Sequence, residues 1–306
     1  MLIGVTGASG NLGTVAIKRL LHSDQHSVVA FTRSPLRVRH PNITVRHYDA
    51  ADGLPESDLS DLDCLIHLAY VVEEPRDKRA ARHINVDAAV GLVAAAADAG
   101  VPYLVVASSV NAYGDRYRAG QLVDESAPVR RTPNKFYYDN KAELELRLAD
   151  WKARNPATRL GLCILRLAYV VGPDIDNSGV RMFRQRPLIY PDPTNAAYQF
   201  LHQDDFGEAV SLVVKNQKPG TFNVGPPDYV TVKDIARLNG NAPVIPIPLR
   251  LAERVSDLGF KLGLSRFSSD WVTVGEASVR SDRFMKTTGW RPQWSCKDAV
   301  KVMLNR

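Results

Sequence analysis

Cysteine is scarce in this chain of 306 residues: there are only three, Cys64, Cys163 and Cys296. They lie far apart and show no metal-ligand spacing, which excludes a zinc cluster or a disulfide framework and suits a reducing compartment. Cys64 and Cys163 sit in apolar runs, where thiols are buried and inert. No hydrophobic run is long enough to span a bilayer. The first strand-like run begins at Leu2, which leaves no room for the basic and apolar regions of a secretory signal. These absences predict a cytoplasmic protein with no membrane partner. Helix-turn-helix, zinc-finger and RNP patterns are also missing, so no nucleic-acid partner is expected. There is no internal repeat and no low-complexity tail.

Acidic residues are the scarcer charge, 33 against 39 Lys and Arg, giving a net charge of +6. A basic balance of this size reads first as a solvated surface. The densest basic stretch, with Arg33, Arg37, Arg39 and Arg46, falls where a cofactor phosphate could sit. The hydrophobic content of 45% is ample for one elaborated domain or two fused ones.

The first half alternates. Apolar strand-like runs occur at 2–5, 28–31, 43–45, 64–68, 103–107 and 160–167. Helical patterns begin near Asn11, run from Asn85 to Ala99 before the C-capping Gly100, and run from about Pro133 to Arg154. This alternation predicts an α/β fold, a doubly wound parallel sheet with helices on both faces. The second half is less regular, with prolines clustered at 187–193, 226–227 and 243–248. Phe206 to Val214 reads as a helix, with Asp205 and Glu208 as its capping box, and 221–224 reads as a strand. Leu251, Val255, Leu258 and Leu262 share one helical face. That pattern suits an interfacial membrane helix, but a short, modestly basic segment is expected instead to pack a small lobe onto the sheet.

The stretch TGASGNLG at 6–13 follows the first strand directly. Its glycines permit a tight turn and close backbone approach, and the helix after it presents free N–H groups to a pyrophosphate. Gly7, Ser9, Gly10, Asn11, Leu12 and Gly13 are therefore candidate dinucleotide contacts. Tyr137 and Lys141, spaced i, i+4, share a helix face. A neighbouring ammonium favours the phenolate, so the pair is expected to bring the Tyr137 pKa down toward the working range for proton exchange at a carbonyl or alcohol oxygen. Ser108 and Ser109 end the 103–107 run, at the carboxyl edge where open α/β sheets bind ligands.

With these motifs in place, the chain resembles the extended short-chain dehydrogenase/reductases, the NAD-dependent epimerase/dehydratase family. HLAY at 67–70, HINVDAAVGLVAAA at 83–96, SSVNAYG at 108–114, LRLAYVVGP at 165–173, FLHQDDFGEAV at 200–210 and FNVG at 222–225 carry the resemblance in order. It implies a Rossmann domain over 1–172, to which 198–225 returns, and a smaller C-terminal substrate lobe from 173–197 and 226–306. It implies a catalytic triad of Ser109, Tyr137 and Lys141, with Lys141 also on the cofactor ribose. Ala69 would lie beside the nicotinamide side and Asp49 near the adenine. Asn85 would support the site, and His202 matches a recurrent histidine of either structural or ligand role. Relatives of this kind often dimerise through the helices placed at 85–99 and 133–154, although core burial explains their apolar faces equally.

Relatives that bind NAD carry an acidic residue after the second strand to meet the ribose hydroxyls. Here the residues are Phe31-Thr32-Arg33-Ser34, with no carboxylate. Arg33 could pair with a 2′-phosphate, so NADP(H) is the expected preference, with NAD(H) as the alternative. Val110 and Asn111 replace the Asp-Glu pair of sugar-nucleotide dehydratases, which argues against that elimination. Tyr169 replaces an asparagine that contacts the diphosphate in several epimerases, although Arg181, Arg184 and Arg186 could hold one. The leading expectation is a reductase acting reversibly on a small ketone, aldehyde or secondary alcohol, with Tyr70, Asn111 and Tyr169 as pocket walls. A nucleotide-sugar epimerase with retained NAD is the alternative. A non-catalytic NADP-sensing regulator is a third reading, opposed by the intact Tyr-x-x-x-Lys pair.

Overall fold

A computed structural model describes every residue except Asp24, Arg116, Arg118 and Arg306. Short apolar, β-branched-rich runs form the strands β1 (Leu2–Thr6), β2 (Ser27–Thr32), β3 (Ile43–His47), β4 (Cys64–His67), β5 (Tyr103–Ser109), β6 (Leu122–Val123), β7 (Gly161–Leu167), β8 (Tyr169–Val171), β9 (Leu188–Tyr190), β10 (Ala197–Tyr198), β11 (Phe200–His202), β12 (Gly220–Val224), β13 (Val230–Thr231), β14 (Val244–Pro246) and β15 (Ser278–Val279). The helices are α1 (Asn11–Leu20), α2 (Lys78–Arg82), α3 (Ala89–Asp98), α4 (Phe136–Arg154), α5 (Ser178–Phe183), α6 (Gln203–Asn216), α7 (Val232–Leu238), α8 (Leu249–Lys261), α9 (Asp282–Thr288) and α10 (Cys296–Leu304).

Seven strands form one parallel sheet in the order β12-β7-β5-β4-β1-β2-β3. Parallel strands need crossovers, and the helices supply them on both faces. The pleat sorts alternate side chains to the two sides: Val28 and Ala30 join a core with α1 and α6, while Val29 and Phe31 join one with α3 and α4. All three cysteines are free and buried. The doubly wound α/β sheet is as the alternation predicts. Among the described residues nothing pairs with the far edge of the outermost strand β3, and its Thr44 and Val45 face solvent.

The rest of the chain crosses the carboxyl end of this sheet in short two-stranded pairs, β11 with β8, β10 with β13, β14 with β9, and β15 with β6. The β15–β6 pair and the segment before it bring residues near 270–280 over the first half of the chain.

Four local expectations are corrected. The helix expected from Asn85 begins earlier, at Lys78, capped by Asp77, and reaches α3 through a π-helical turn over His83–Ala88. The helix expected from Pro133 begins at Phe136, because Asp270, far along the chain, accepts the Phe136 N–H there. The capping box of Asp205 and Glu208 does not form. His202 caps α6 through Nδ1, while Asp205 lies inside the helix and accepts the N–H groups of Gln293 and Trp294. Glu208 pairs with Arg19 instead. Finally, Leu251, Val255, Leu258 and Leu262 do share a face of α8, but that face points away from the protein and is exposed.

Candidate active site

The turn after β1 is shaped by contacts that exclude side chains. Gly7 adopts φ +68°, and a Cβ there would stand 2.7 Å from the Ala69 backbone nitrogen. A Cβ on Gly13 would meet the Gly7 carbonyl oxygen at 2.2 Å. Both distances are far inside van der Waals contact, so α1 can approach the β1 and β4 ends this closely only with glycine. Gly10 caps α1 without a side-chain acceptor, and the first turn holds no acidic residue. The first N–H groups of α1 are thus left for an external anion. This cradle fits a dinucleotide pyrophosphate. It places Gly7, Gly10, Asn11, Leu12, Gly13 and Ala69 at one edge of the sheet.

At the carboxyl end of β2, Thr32 donates to Ser9 at 2.8 Å. Arg33 and Asp49, expected as separate cofactor contacts, are paired with one another at 2.8 Å. The arginine is 63% exposed, so the pair is weak. Arg37, noted in the sequence only as part of the basic stretch, donates to Asn11 at 3.0 Å and stands beside the glycine turn. The reach of its side chain across the turn has no local sequence signal.

At the carboxyl end of β5, the Ser109 hydroxyl stands close enough to the Tyr137 phenol to lower its pKa. Lys141, one turn along α4 from Tyr137, donates to the Ala107 carbonyl at 2.8 Å. Its ammonium lies 3.5 Å from the centroid of the Tyr70 ring and 5.8 Å from that of Tyr137. The three expected triad residues therefore meet. The expected direction of the Tyr137 pKa does not hold. Burial pushes it up to about 12, against a smaller lowering by the Ser109 hydroxyl. Lys141 does not offset this burial, and burial lowers its own pKa to about 7.

Beneath the triad, Glu145 receives Ser108 at 2.5 Å and a forked pair from Arg166, and Arg166 also donates to Tyr113. This buried ion pair ties α4 to β5 and β7, so the LR-motif arginine has a structural role. Asn85 clamps the chain beyond β4 by bonding both the N–H and the carbonyl of Val71. His202 caps α6 and stacks on Trp294 at 3.9 Å, and its Nε2 is buried without a partner. Arg181 pairs with Asp176, Arg184 donates to the Met303 carbonyl, and Arg186 donates to the Gly240 carbonyl. Each of these three arginines thus has its own protein partner.

Of the expected walls, Tyr70 and Tyr169 lie near Tyr137, while Asn111 bonds Ser109 and Glu276. The Tyr70 ring meets it edge-on at 5.5 Å, and Tyr169 lies within electrostatic range, its hydroxyl held by Asn177 at 2.9 Å. Two further residues come from the lobe. Trp271 packs at 5.4 Å on the Tyr137 ring. Glu276 is buried and reaches Asn111 Nδ2 at 3.3 Å and the Tyr138 hydroxyl at 3.4 Å. Burial raises its carboxyl to about 7, and its two hydrogen bonds offset this only in part. Tyr70 Oη, Asn111 Oδ1 and Trp271 Nε1 are buried polar atoms without a partner. Buried polar groups are normally satisfied, so this grouping beside Tyr137 marks a place for a polar ligand. Glu276 and Trp271 lie more than a hundred residues from the triad in sequence, and no motif flags them.

The model of the NAD dependent epimerase/dehydratase family matches residues 3–225. Curated relatives include an uncharacterized protein of Mycobacterium tuberculosis strain H37Rv, 26% identical over 255 residues, which cover 78% of this chain and 64% of that protein. A second uncharacterized protein of the same strain is 24% identical over 304 residues, covering 98% of this chain but 29% of the relative. The chain thus spans less than two thirds of the length of these relatives. Among solved structures, MoeE5 in complex with UDP-glucuronic acid and NAD aligns with TM-score 0.78 at 21% identity, covering 100% of this chain and 98% of that one. The UDP-glucose 4-epimerase of Thermus thermophilus, in complex with NAD, aligns with TM-score 0.75 at 20% identity, again covering 100% and 98%. At such identities the structural likeness speaks for the fold. The family match over most of the chain, the parallel sheet and the glycine turn agree, and the chain belongs to the NAD-dependent epimerase/dehydratase family of extended short-chain dehydrogenase/reductases.

Proposed function

We propose that this chain is an NAD(P)-dependent oxidoreductase that moves hydride reversibly between a nicotinamide and a carbon bearing a hydroxyl or carbonyl oxygen. The observation that carries this reading is the meeting of Ser109, Tyr137 and Lys141 opposite the glycine cradle. When bound, the cofactor supplies the hydride acceptor or donor. The residues of the chain handle the proton. In the oxidising direction the substrate hydroxyl gives its proton to the Tyr137 phenolate as hydride leaves the carbon. In the reducing direction the Tyr137 phenol protonates the oxygen as hydride arrives. Ser109 holds that oxygen, and Lys141 reaches the ribose and, when charged, stabilises the phenolate.

A net reductase and an epimerase share this step and differ in whether the cofactor exchanges. The epimerase reading is favoured by the structural neighbours, which include a UDP-glucose 4-epimerase and a UDP-glucuronic acid 4-epimerase from Bacillus cereus, both in complex with NAD. It is opposed by Tyr169, which stands where several epimerases carry an asparagine for the diphosphate and whose hydroxyl is held by Asn177. We infer a preference for NADP(H) from the absence of a carboxylate at 31–34 and from Arg33 and Arg37 at the adenine end of the cradle. The domain division, with 1–172 and 198–225 holding the cofactor and the remaining segments the substrate, belongs to the same reading. The deciding experiment is to denature the purified protein and identify any released nucleotide, then to assay carbonyl compounds and UDP-sugars with added NADPH or NADH. Net cofactor oxidation with exchange supports the reductase. Co-purified NAD with substrate isomerisation and no net redox change supports the epimerase.

A further inference from the structure

Helix α8 turns its apolar stripe outward. Val255, Leu258 and Leu262 are 57%, 59% and 63% exposed, and Leu264, just beyond the helix, is 83% exposed. None of the residues of α8 is buried. The opposite side faces the protein: Ser256 donates to the Phe267 carbonyl at 3.0 Å, and the Asp257 carboxylate accepts the Ser269 N–H at 2.8 Å. A stripe of large aliphatic side chains facing water on a helix this well ordered in pattern calls for a partner.

The charges around the stripe identify its chemistry. Arg250, Arg254, Lys261 and Arg266 are exposed between 249 and 266, while the two acids of the segment, Glu253 and Asp257, are partly covered on the inner side. Every exposed charged side chain in this segment is therefore basic. On a helix, Arg250, Arg254 and Lys261 line one flank of the row formed by Leu251, Val255, Leu258 and Leu262. An apolar centre with a cationic flank and a protein-facing polar side is the arrangement of a helix lying in a membrane interface. A second copy docking antiparallel, face to face, would set the same cations against one another, since that two-fold contact brings the same flanks together. An anionic bilayer satisfies both features at once.

We propose that α8 docks this protein on an anionic lipid surface, its leucines entering the acyl boundary and its arginines and lysine meeting the headgroups. This is peripheral contact, since no helix among the described residues is long and apolar enough to cross a membrane. It departs from the sequence-based expectation of a lobe-packing helix without membrane contact. The contact stands next to the candidate active site. Asp257 holds Ser269, and two residues further on Trp271 rests on the Tyr137 ring.

The test is co-flotation of the full chain with vesicles of phosphatidylcholine alone and of phosphatidylcholine mixed equally with phosphatidylglycerol. Binding is expected with the mixed vesicles, much less with the neutral ones, and should fall as salt rises. Leu258→Glu with Leu262→Glu should reduce binding at least ~tenfold, while both side chains are exposed enough to leave the thermal midpoint unchanged. Arg254→Gln with Lys261→Gln, which spares the apolar stripe, should cost about fivefold per charge removed. Failure to float with the mixed vesicles overturns the proposal, as does binding that is indifferent to both pairs of substitutions. A dimer in solution that the leucine substitutions dissolve, without vesicle binding, reassigns the face to self-association. Capture by an acidic protein without vesicle binding reassigns it to that partner. These outcomes do not depend on the oxidoreductase reading, which the cofactor assays address separately.

Discussion

The two ends of the candidate cleft are made of different material. The cofactor end is mostly backbone: glycines at 7, 10 and 13, an uncapped helix start, and a strand edge at Ala69. The substrate end is mostly side chain: Tyr70, Tyr137 and Asn111 from the sheet half, closed over by Trp271 and Glu276 from the lobe. A backbone site has one solution, because the atoms it presents are the same in every residue, so it tolerates little variation. A side-chain site can be refitted residue by residue while the proton-transfer group stays in place.

This difference also explains how much could be read from sequence. The glycine turn and the Tyr-x-x-x-Lys pair are local patterns, and the structure places their residues together. The parallel sheet was legible because its strands are continuous apolar runs between helical periods. Glu276 and Trp271 were not legible, because they reach Tyr137 only through the fold of the C-terminal segment, at long separation. The pKa of Tyr137 was misjudged for a related reason. The pair spacing shows that an amine is near, but the burial that raises the phenol and lowers the amine is a property of the packed site. The face of α8 was found by period and assigned to the wrong side, since period alone cannot say which side holds the protein.

The sharpest way to break the comparison is at the proton-transfer group. Tyr137→Phe should lower kcat by about 10² to 10⁴ while leaving cofactor affinity nearly unchanged. Steady-state rates and a nucleotide titration on the same preparation check both halves. At the backbone end the effect should be confined to binding. Gly13→Ala pushes a Cβ toward the Gly7 carbonyl, and it should weaken dinucleotide binding by about tenfold or more and cost about 1–3 kcal/mol of stability through overpacking. Equal affinity in this variant would mean that the turn is not the pyrophosphate cradle. Arg33→Ala sharpens the cofactor choice: removal of a charge-assisted contact should cost about tenfold for NADPH and little for NADH. Loss for neither, or equal loss for both, would dismiss the 2′-phosphate assignment.

The pH dependence of stability turns on the buried carboxyl. Glu276 has an ordinary pKa of 4.5 that burial raises to about 7. Between these values the folded chain holds a proton that the unfolded chain has released, so stability falls as pH rises through this window and levels off above it. Glu276→Gln should flatten that fall and leave the protein more stable above pH 7, by up to about 3 kcal/mol. Thermal midpoints of both proteins across the window read this directly. Lys141 acts in the other direction higher up. Its folded pKa of about 7 lies below the ordinary 10.5, so its destabilising contribution fades as pH rises from about 7 toward 10.5.

The central claim is that a nicotinamide cofactor occupies the glycine cradle and extends to Tyr137. The most direct measurement is a titration of the purified chain with NADPH and with NADH, following its tryptophan fluorescence, because Trp271 rests on the Tyr137 ring. The account predicts saturable quenching, tighter for NADPH, that is weakened in Gly13→Ala and retained in Tyr137→Phe. Absence of saturable quenching with either nucleotide, in a folded protein that releases no bound nucleotide on denaturation, would contradict it.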